Sequence, residues 1–355
     1  MTAWRVQGVL LPDGEVVEAA VTASGDWATG PAADAEQLPG RFVLPGLVDA
    51  HCHLGIGEGE RGEPVALGVE AAVANLAAAR ATGVTAIRDT GGPVGLTLQL
   101  VDETDSELLV CGRFLAPAGQ YFPQLYEPVP AEDLVAVALA EVAAGARWVK
   151  LVGDFPVLGP GQPPSPAAPT YPLAVVRQLI EAVHGAGARV AAHTTTGHVK
   201  ALIDAGIDSV EHGDGLDTDD LARLAERGGA WTPTLCAFTT DPPTADEPER
   251  QRRYQQTRDR LCHLLRAAAD LDVTIMTGTD VVGSVPRETA LLAAFGLAPT
   301  IALAAASTAA RRFLGLPSLT DGGPADLVTY HTDPRDDPNA LAHPAAVIAR
   351  GVRLH

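Results

Sequence analysis

The stretch FVLPGLVDAHCHL, residues 42–54, closes an apolar run with Asp49, His51 and His53. In a strand, residues i and i+2 project from the same face, so the two imidazoles emerge together. Neutral imidazoles side by side suit a metal ion. For this spacing alone, the competing reading is two polar residues where a strand leaves the core. Four more residues sit at the ends of apolar runs: Lys150 in RWVK, His193 in RVAAH, His212 in SVEH and Asp280 in TGTD. Taken singly, each has an ordinary explanation: a satisfied histidine, a solvated or paired lysine, a helix-capping aspartate. Converging on one mouth, four histidines and a carboxylate make a site for a borderline cation, zinc first, with manganese and iron as rivals.

The elements that would position them repeat a phrase. It reads ATGVTAIRD (81–89), AAGARWVKL (143–151), GAGARVAAH (185–193), DAGIDSVEH (204–212), ERGGAWTPT (226–234) and LDVTIMTGTD (271–280). In the first five, a helical segment stops at glycine, the usual residue just past a helix end, and a short apolar strand begins. Val65, Val69, Val73 and Leu76 are expected on one helical stripe, and Leu173, Val176, Ile180 and Val183 on another. The strands are nearly continuous apolar runs, as parallel strands buried on both faces require. Phe42–His51 and LLVCGRFLA (108–116) bring the expected number of strands to eight. His51 and Asp280 stand 229 residues apart, close to the roughly 250 of a (β/α)8 barrel. A doubly wound open sheet is the competitor, but no GxGxxG follows the first strand.

The fold expected is therefore α/β: a TIM-like barrel over residues 44–315, with a small β-sandwich from residues 1–43 and 316–355. The flanks carry short β-like runs, WRVQGVLL and EVVEAAVTA at one end, ADLVTYHTD and AAVIARGVRLH at the other, and chain ends often meet. The proline-rich segment 155–172 is expected to be a lid or binding loop, neither helix nor strand.

Composition narrows the function. The 355 residues are 46% hydrophobic, with a net charge of −19, so no basic field attracts nucleic acid or an anionic membrane. The alanine-rich stretch from Pro64 to Thr82 contains Glu70, Asn75 and Arg80 and does not span a bilayer. Cys52, Cys111, Cys236 and Cys262 form no CxxC pair and read as core thiols. The N-terminus lacks the pattern of a signal peptide, and a cytoplasmic protein with a small-molecule substrate is expected.

The motifs LPGLVDAHCH, GVTAIRDTGG, WVKL, AAHTTTG, SVEHG, WTPTL and TGTD, followed by RETALLAAFGLAPTIALAAAST and GGPADLVTY, cover nearly the whole chain. In this order they resemble the amidohydrolase superfamily, in particular its metal-dependent prolidase and imidazolonepropionase-like branch. The resemblance implies two divalent ions bridged by a carbamate formed from carbon dioxide on Lys150. His51, His53, Lys150 and Asp280 would hold one ion, and Lys150, His193 and His212 the other. It also implies attack by a metal-bridging hydroxide on an amide-type C–N bond, of an N-acyl amino acid, dipeptide, cyclic amide or carbamate. Asp280 would move the proton. Homo-oligomers occur among such relatives.

Three alternatives remain at this level: a mononuclear ring hydrolase or deaminase, an esterase or lactonase, and a non-catalytic scaffold. Lys150 favours the two-metal hydrolase, unless it merely pairs with Asp154 or Glu211. Gln120 and Tyr121, in APAGQYFPQLYEP, are candidate substrate contacts, but this loop lacks the histidine that dipeptidase relatives tend to carry. Arg252, Arg253 and Tyr254 are candidates for a substrate carboxylate, or else part of a solvated helical face. Glu288 is expected to give structural support.

Overall fold

The computed structural model describes residues 4–32, 34–101, 107–159, 161–239 and 247–354. Its architecture is mixed α/β, and both chain ends enter one sheet. Trp4–Leu10, Glu15–Val21, Trp27–Thr29, Glu36–Gln37 and Phe42–Pro45 supply five strands, and Leu327–Tyr330, Ala346–Ala349 and Val352–Arg353 supply three. The two ends join where Phe42–Pro45 runs antiparallel to Leu327–Tyr330, with Leu44 opposite Val328. Alternation along these strands gives two apolar faces. Val6, Val21, Trp27, Val43, Leu327 and Ile348 pack together on one face. Leu44, Val328, Tyr330 and Val347 turn the other towards Leu76, Val84 and Leu303 in the body of the molecule.

The parallel strands follow in chain order. Leu47–Cys52, Val84–Asp89 and Glu107–Val110 form a three-stranded sheet. Phe114–Leu115, Trp148–Val152, Arg189–Thr194, Ser209–His212, Ala230–Thr232 and Thr274–Ile275 form a six-stranded one. The chain curls so that the segment after Thr274–Ile275 returns to the first parallel strand. There Ala50 N donates to Thr277 O at 2.9 Å and Asp280 N to His51 O at 2.8 Å. Val48, Ala50, Ala86, Cys111, Trp148, Ala191, Ala230 and Met276 form one interior cluster. Helices cover the outside: Leu173–Gly185 buries Val176, Leu179, Ile180 and Val183, as its periodicity requires. The glycines that end the helical half of the phrase (Gly83, Gly145, Gly187, Gly206 and Gly228) all have φ between 65° and 113°, the left-handed turn that stops a helix.

Three expectations need correction. The segment Phe42–His51 is not one strand. Phe42–Pro45 belongs to the terminal sheet, Leu47–Cys52 belongs to the parallel sheet, and Gly46 is the switch. Val65 is not helical: Pro64–Ala66 is a short strand paired with Ile56–Glu58. The helix starts at Val69 and buries Ala72 and Leu76, leaving Val73 43% exposed. Within 155–172, Ala168–Pro169 is a strand paired with Asp154–Phe155, so the segment leaves and rejoins the body as an antiparallel excursion. Pro160 lies outside the described residues. Cys52, Cys111 and Cys236 are buried free thiols and Cys262 is half-buried. Among the described residues, no helix is long and apolar enough to cross a membrane.

Gly46 is the tightest point of the switch. A Cβ there would overlap Thr85 Oγ1 and stand 2.7 Å from Thr85 Cγ2 and 2.9 Å from Arg311 Nη2. Arg311 is buried and donates to Gly46 O and Thr85 Oγ1, so its guanidinium cannot yield without losing both bonds. Gly46→Ala is expected to destabilise the protein by about 1–3 kcal/mol, the usual cost of overpacking. A lowered urea midpoint at unchanged slope would register this.

Candidate metal centre

The carboxyl ends of the parallel strands bring all six sequence candidates to one place. His51 and His53 leave Leu47–Cys52, Lys150 lies in Trp148–Val152, His193 in Arg189–Thr194 and His212 ends Ser209–His212. Asp280 follows Thr274–Ile275 and bridges to Cys52. The ring centroids of His51 and His53 lie 5.2 Å apart, those of His51 and His212 4.8 Å, and those of His193 and His212 4.6 Å. Lys150 Nζ is 3.4 Å from His51 Nε2, and Asp280 Oδ1 is 3.6 Å from His53 Nε2. Donor atoms of His51, His212 and Asp280 all lie within 4.8 Å of one another.

Hydrogen bonds fix which nitrogen each ring presents. His51 donates from Nδ1 to Glu211 Oε2 at 2.7 Å, and His53 from Nδ1 to Gly91 O at 2.7 Å. Thr234 gives its hydroxyl hydrogen to Pro233 O, so it accepts from His212 Nδ1 at 2.7 Å. Three Nε2 lone pairs are thereby left for an electrophile, the orientation that metal-ligating histidines take from their outer partners. Burial holds the rings neutral. It lowers His53, lowers His51 and His212 well below the usual imidazole value, and brings His193 to about 3. Neutral imidazoles with an adjoining carboxylate are the donor set of a borderline divalent cation, and these residues fit one.

The strand ends are bent to reach this arrangement. His212, Thr234 and Asp280 have φ of 66°, 47° and 56°, a region that non-glycine residues enter at a cost of about 1–3 kcal/mol each. Residues outside the original candidates hold them there. Asp49 accepts from Thr279 N, Thr279 Oγ1 and His51 N, and burial pushes its carboxyl up to about 7. Asp154 accepts from the backbone N–H and hydroxyl of both Thr195 and Thr196, which fixes the chain just beyond His193. Glu288 accepts from Leu235 N and Cys236 N, each at 2.8 Å, as its expected supporting role requires.

The deepest of these groups is an ion pair. Arg88 and Glu211 are both fully buried, 2.7 Å apart. Glu211 also accepts from Ser209 Oγ and His51 Nδ1, while Arg88 donates to Ala50 O and lies over the Trp148 ring. Their available signal in sequence was a charge inside an apolar strand, in TAIRD and SVEH. The pairing of Lys150 with Asp154 or Glu211 does not occur. Both carboxylates are engaged elsewhere, and among the described residues Lys150 makes no ion pair. Burial lowers its pKa.

The amidohydrolase family model matches residues 42–354, most of the chain. The chain belongs to the amidohydrolase family. It is accordingly a hydrolase acting on C–N bonds, in a family that generally uses divalent metal ions and small-molecule substrates. An uncharacterised protein of Mycobacterium tuberculosis is 36% identical over 360 residues, covering 98% of this chain and 94% of that one. Among solved structures, a Xaa-Pro dipeptidase with bound methionine matches with a TM-score of 0.79 at 21% identity, covering 100% of this chain and 99% of that one. A putative prolidase from Bifidobacterium longum matches at 0.76 and 24% identity, covering 99% and 94%. Both structures share the fold.

The candidate substrate contacts of this amidohydrolase divide. Tyr121 is buried among Phe114, Phe122, Phe155 and His193 and lines a cavity of about 390 Å³ over the cluster. Gln120 is half-buried, and its Nε2 donates to Phe155 O at 3.4 Å. Arg252, Arg253 and Tyr254 do not reach the cluster. They lie on the helix Pro248–Asp270, which buries Leu261, Leu264, Leu265 and Ala268 and leaves its first turns outside. Arg252 is exposed; Arg253 pairs with Glu249 at 3.8 Å, and with Tyr254 it lines a separate cavity of about 300 Å³. Their alternative reading, a charged helical face, describes them better.

Glu211→Gln is expected to weaken metal affinity about 10- to 100-fold, the usual effect of removing a ligand's outer partner. It also leaves Arg88 buried beside a neutral amide, at a cost of about 3–5 kcal/mol. A chelator competition titration reads the first effect and a denaturation curve the second.

Proposed function

We propose that the protein is a two-metal hydrolase of an amide-type C–N bond, in an N-acyl amino acid, dipeptide, cyclic amide or carbamate. The observation that carries this reading is the convergence of His51, His53, His193, His212, Lys150 and Asp280 in one cluster, all but His51 lining one cavity. On this reading the parallel strands close as a (β/α)8 barrel over residues 44–315, supported by the bonds from Ala50 N to Thr277 O and from Asp280 N to His51 O. The terminal segments, 1–43 and 316–355, make the small β-sandwich, supported by their common sheet and its own apolar cluster.

His51, His53, Lys150 and Asp280 would hold one ion, and Lys150, His193 and His212 the other. Zinc suits this mixture of imidazole nitrogen and carboxylate oxygen, with manganese or iron as rivals. A bare ammonium beside a dication is repelled, so Lys150 serves as a ligand only as its carbamate, an anionic oxygen donor. Bound ions would supply the Lewis acidity that lowers the pKa of a water and polarises the scissile carbonyl. The chain does the rest. The Asp280 carboxylate takes the proton of the attacking water and returns it to the departing nitrogen. Gly91 O, Glu211 and Thr234 keep three imidazoles in the tautomer that presents Nε2.

A second reading has its own support. Donor atoms of His51, His212 and Asp280 lie within 4.8 Å of one another, enough to hold one ion in a mononuclear ring hydrolase or deaminase. Metal content separates the two. Protein purified without chelators and in bicarbonate should carry close to two ions per chain by mass spectrometry, and Lys150→Ala close to one. A single ion in the unaltered protein would favour the second reading. Asp280→Asn should keep at least one ion yet lower kcat by about 10²- to 10⁴-fold, the range of a lost general base. A near-normal kcat would remove its proton-transfer role.

A further inference from the structure

The cavity above the cluster has a floor and walls of different character. Polar groups, His53, Lys150, His193, His212 and Asp280, lie at the floor, while Ile56, Phe122, Leu125, Phe155, Phe238 and Val281 contribute walls. The aromatic rings touch: Tyr121 stands 5.1 Å from Phe155 between centroids, Phe122 5.3 Å from Phe155, and Phe238 4.9 Å from His212. Among the described residues lining the cavity, Lys150 is the only lysine or arginine, and it sits within the proposed metal cluster. The net charge of −19 adds a general repulsion of anions.

The arginines are next door. Arg250, Arg253 and Arg258 line the separate cavity of about 300 Å³, together with Tyr254, and Phe238 lines both cavities. The Phe238 ring, 46% exposed, therefore stands between an aromatic chamber over the cluster and a groove outside it that carries three arginines, of which Arg250 and Arg253 pair with Glu247 and Glu249. Its position is set from behind. It closes the short helix Leu235–Phe238, whose first two backbone N–H groups are held by Glu288.

We infer that this site takes substrates with an uncharged aromatic group beside the scissile bond, and that Phe238 determines this preference. The inference rests on the hydrolase reading for the place of the scissile bond. Apolar and aromatic walls reward burial of a ring. A carboxylate pressed against them is desolvated without a counter-ion, because no arginine is among the described residues lining this cavity, Arg88 is committed to Glu211 beneath it, and Arg250, Arg253 and Arg258 line the neighbouring one. A substrate ending in a free carboxylate beside the bond, as a simple dipeptide does, is disfavoured by the same walls.

Isothermal titration of the metal-loaded enzyme tests this with small amides. Acetanilide and N-methylbenzamide put a ring on opposite sides of the amide, and N-methylacetamide has none. The better aromatic ligand should bind at least tenfold more tightly than N-methylacetamide. Its para-methylsulfonyl derivative should bind at least tenfold more tightly than the para-sulfonate, which is similar in size but charged and a poor metal ligand. Phe238→Ala removes the partition and opens the way to the arginines. It should reduce both ratios at least fivefold, with metal content and Tm unchanged. Equal binding of the sulfone and sulfonate, no gain from the ring, or unchanged ratios in Phe238→Ala would each overturn the inference. Turnover of the same compounds is read separately. Selective binding without hydrolysis of any amide would count against the hydrolase reading while this inference stands. Hydrolysis with a preference for the anionic ligand would do the reverse.

Discussion

The Arg88–Glu211 pair is the constraint on which the site depends. Two full charges lie in the interior with no exposure to water, and desolvation of that kind is tolerated only where geometry and further hydrogen bonds compensate. Here the compensation and the function coincide. Glu211 takes hydrogen bonds from Ser209 and His51 as well as from Arg88, and Arg88 in turn bonds to Ala50 O beside His51. The same bonds that make the buried charges acceptable fix the His51 ring. Strands Leu47–Cys52, Val84–Asp89 and Ser209–His212 are thus tied together from within, and the first and third of them carry proposed ligands.

Around this pair, the polar side chains are arranged to set backbone direction. Asp49, Asp154 and Glu288 each accept from two or more groups on a segment leaving a parallel strand. A carboxylate that satisfies several backbone N–H groups at once offsets the cost of bending the chain away from strand geometry. His212, Thr234 and Asp280 sit in the left-handed region near these anchors. Strain gathered at three positions around one cavity is what a site needing preorganised side chains would show. The helix carrying Phe238 extends the same device: Glu288 holds its start, and its last ring becomes a wall of the cavity.

The terminal sheet bears on the site indirectly. Its outer cluster is its own, but its inner face packs on Leu76, Val84 and Leu303, and the chain passes from one sheet to the other through Gly46. His51 lies five residues beyond that switch. The direction in which the first parallel strand enters the body is therefore fixed by the sheet that both chain ends build.

Residue types and local order were determined by the sequence alone. Helix stops at glycine, apolar runs of strand length, the α/β class and the six candidate donors all follow from short-range pattern. These features depend on neighbours within a few residues, and the periodicities of helix and strand carry them. Tertiary structure decided what distance in sequence conceals. Phe42–His51 read as one apolar run because the two sheets it serves are both buried, and only packing shows that it changes sheet at Gly46. Val65 matched a helical stripe but pairs instead with Gly57, since alanine-rich helix surfaces give weak periodicity. Arg88 and Glu211 lie 123 residues apart, and no local pattern announces that their charges meet. Arg253 and Tyr254 had suitable chemistry, yet the buried stripe of their helix holds them outside the cavity. Phe238 carried no signal as one aromatic among apolar residues, because its role comes from the two cavities it separates.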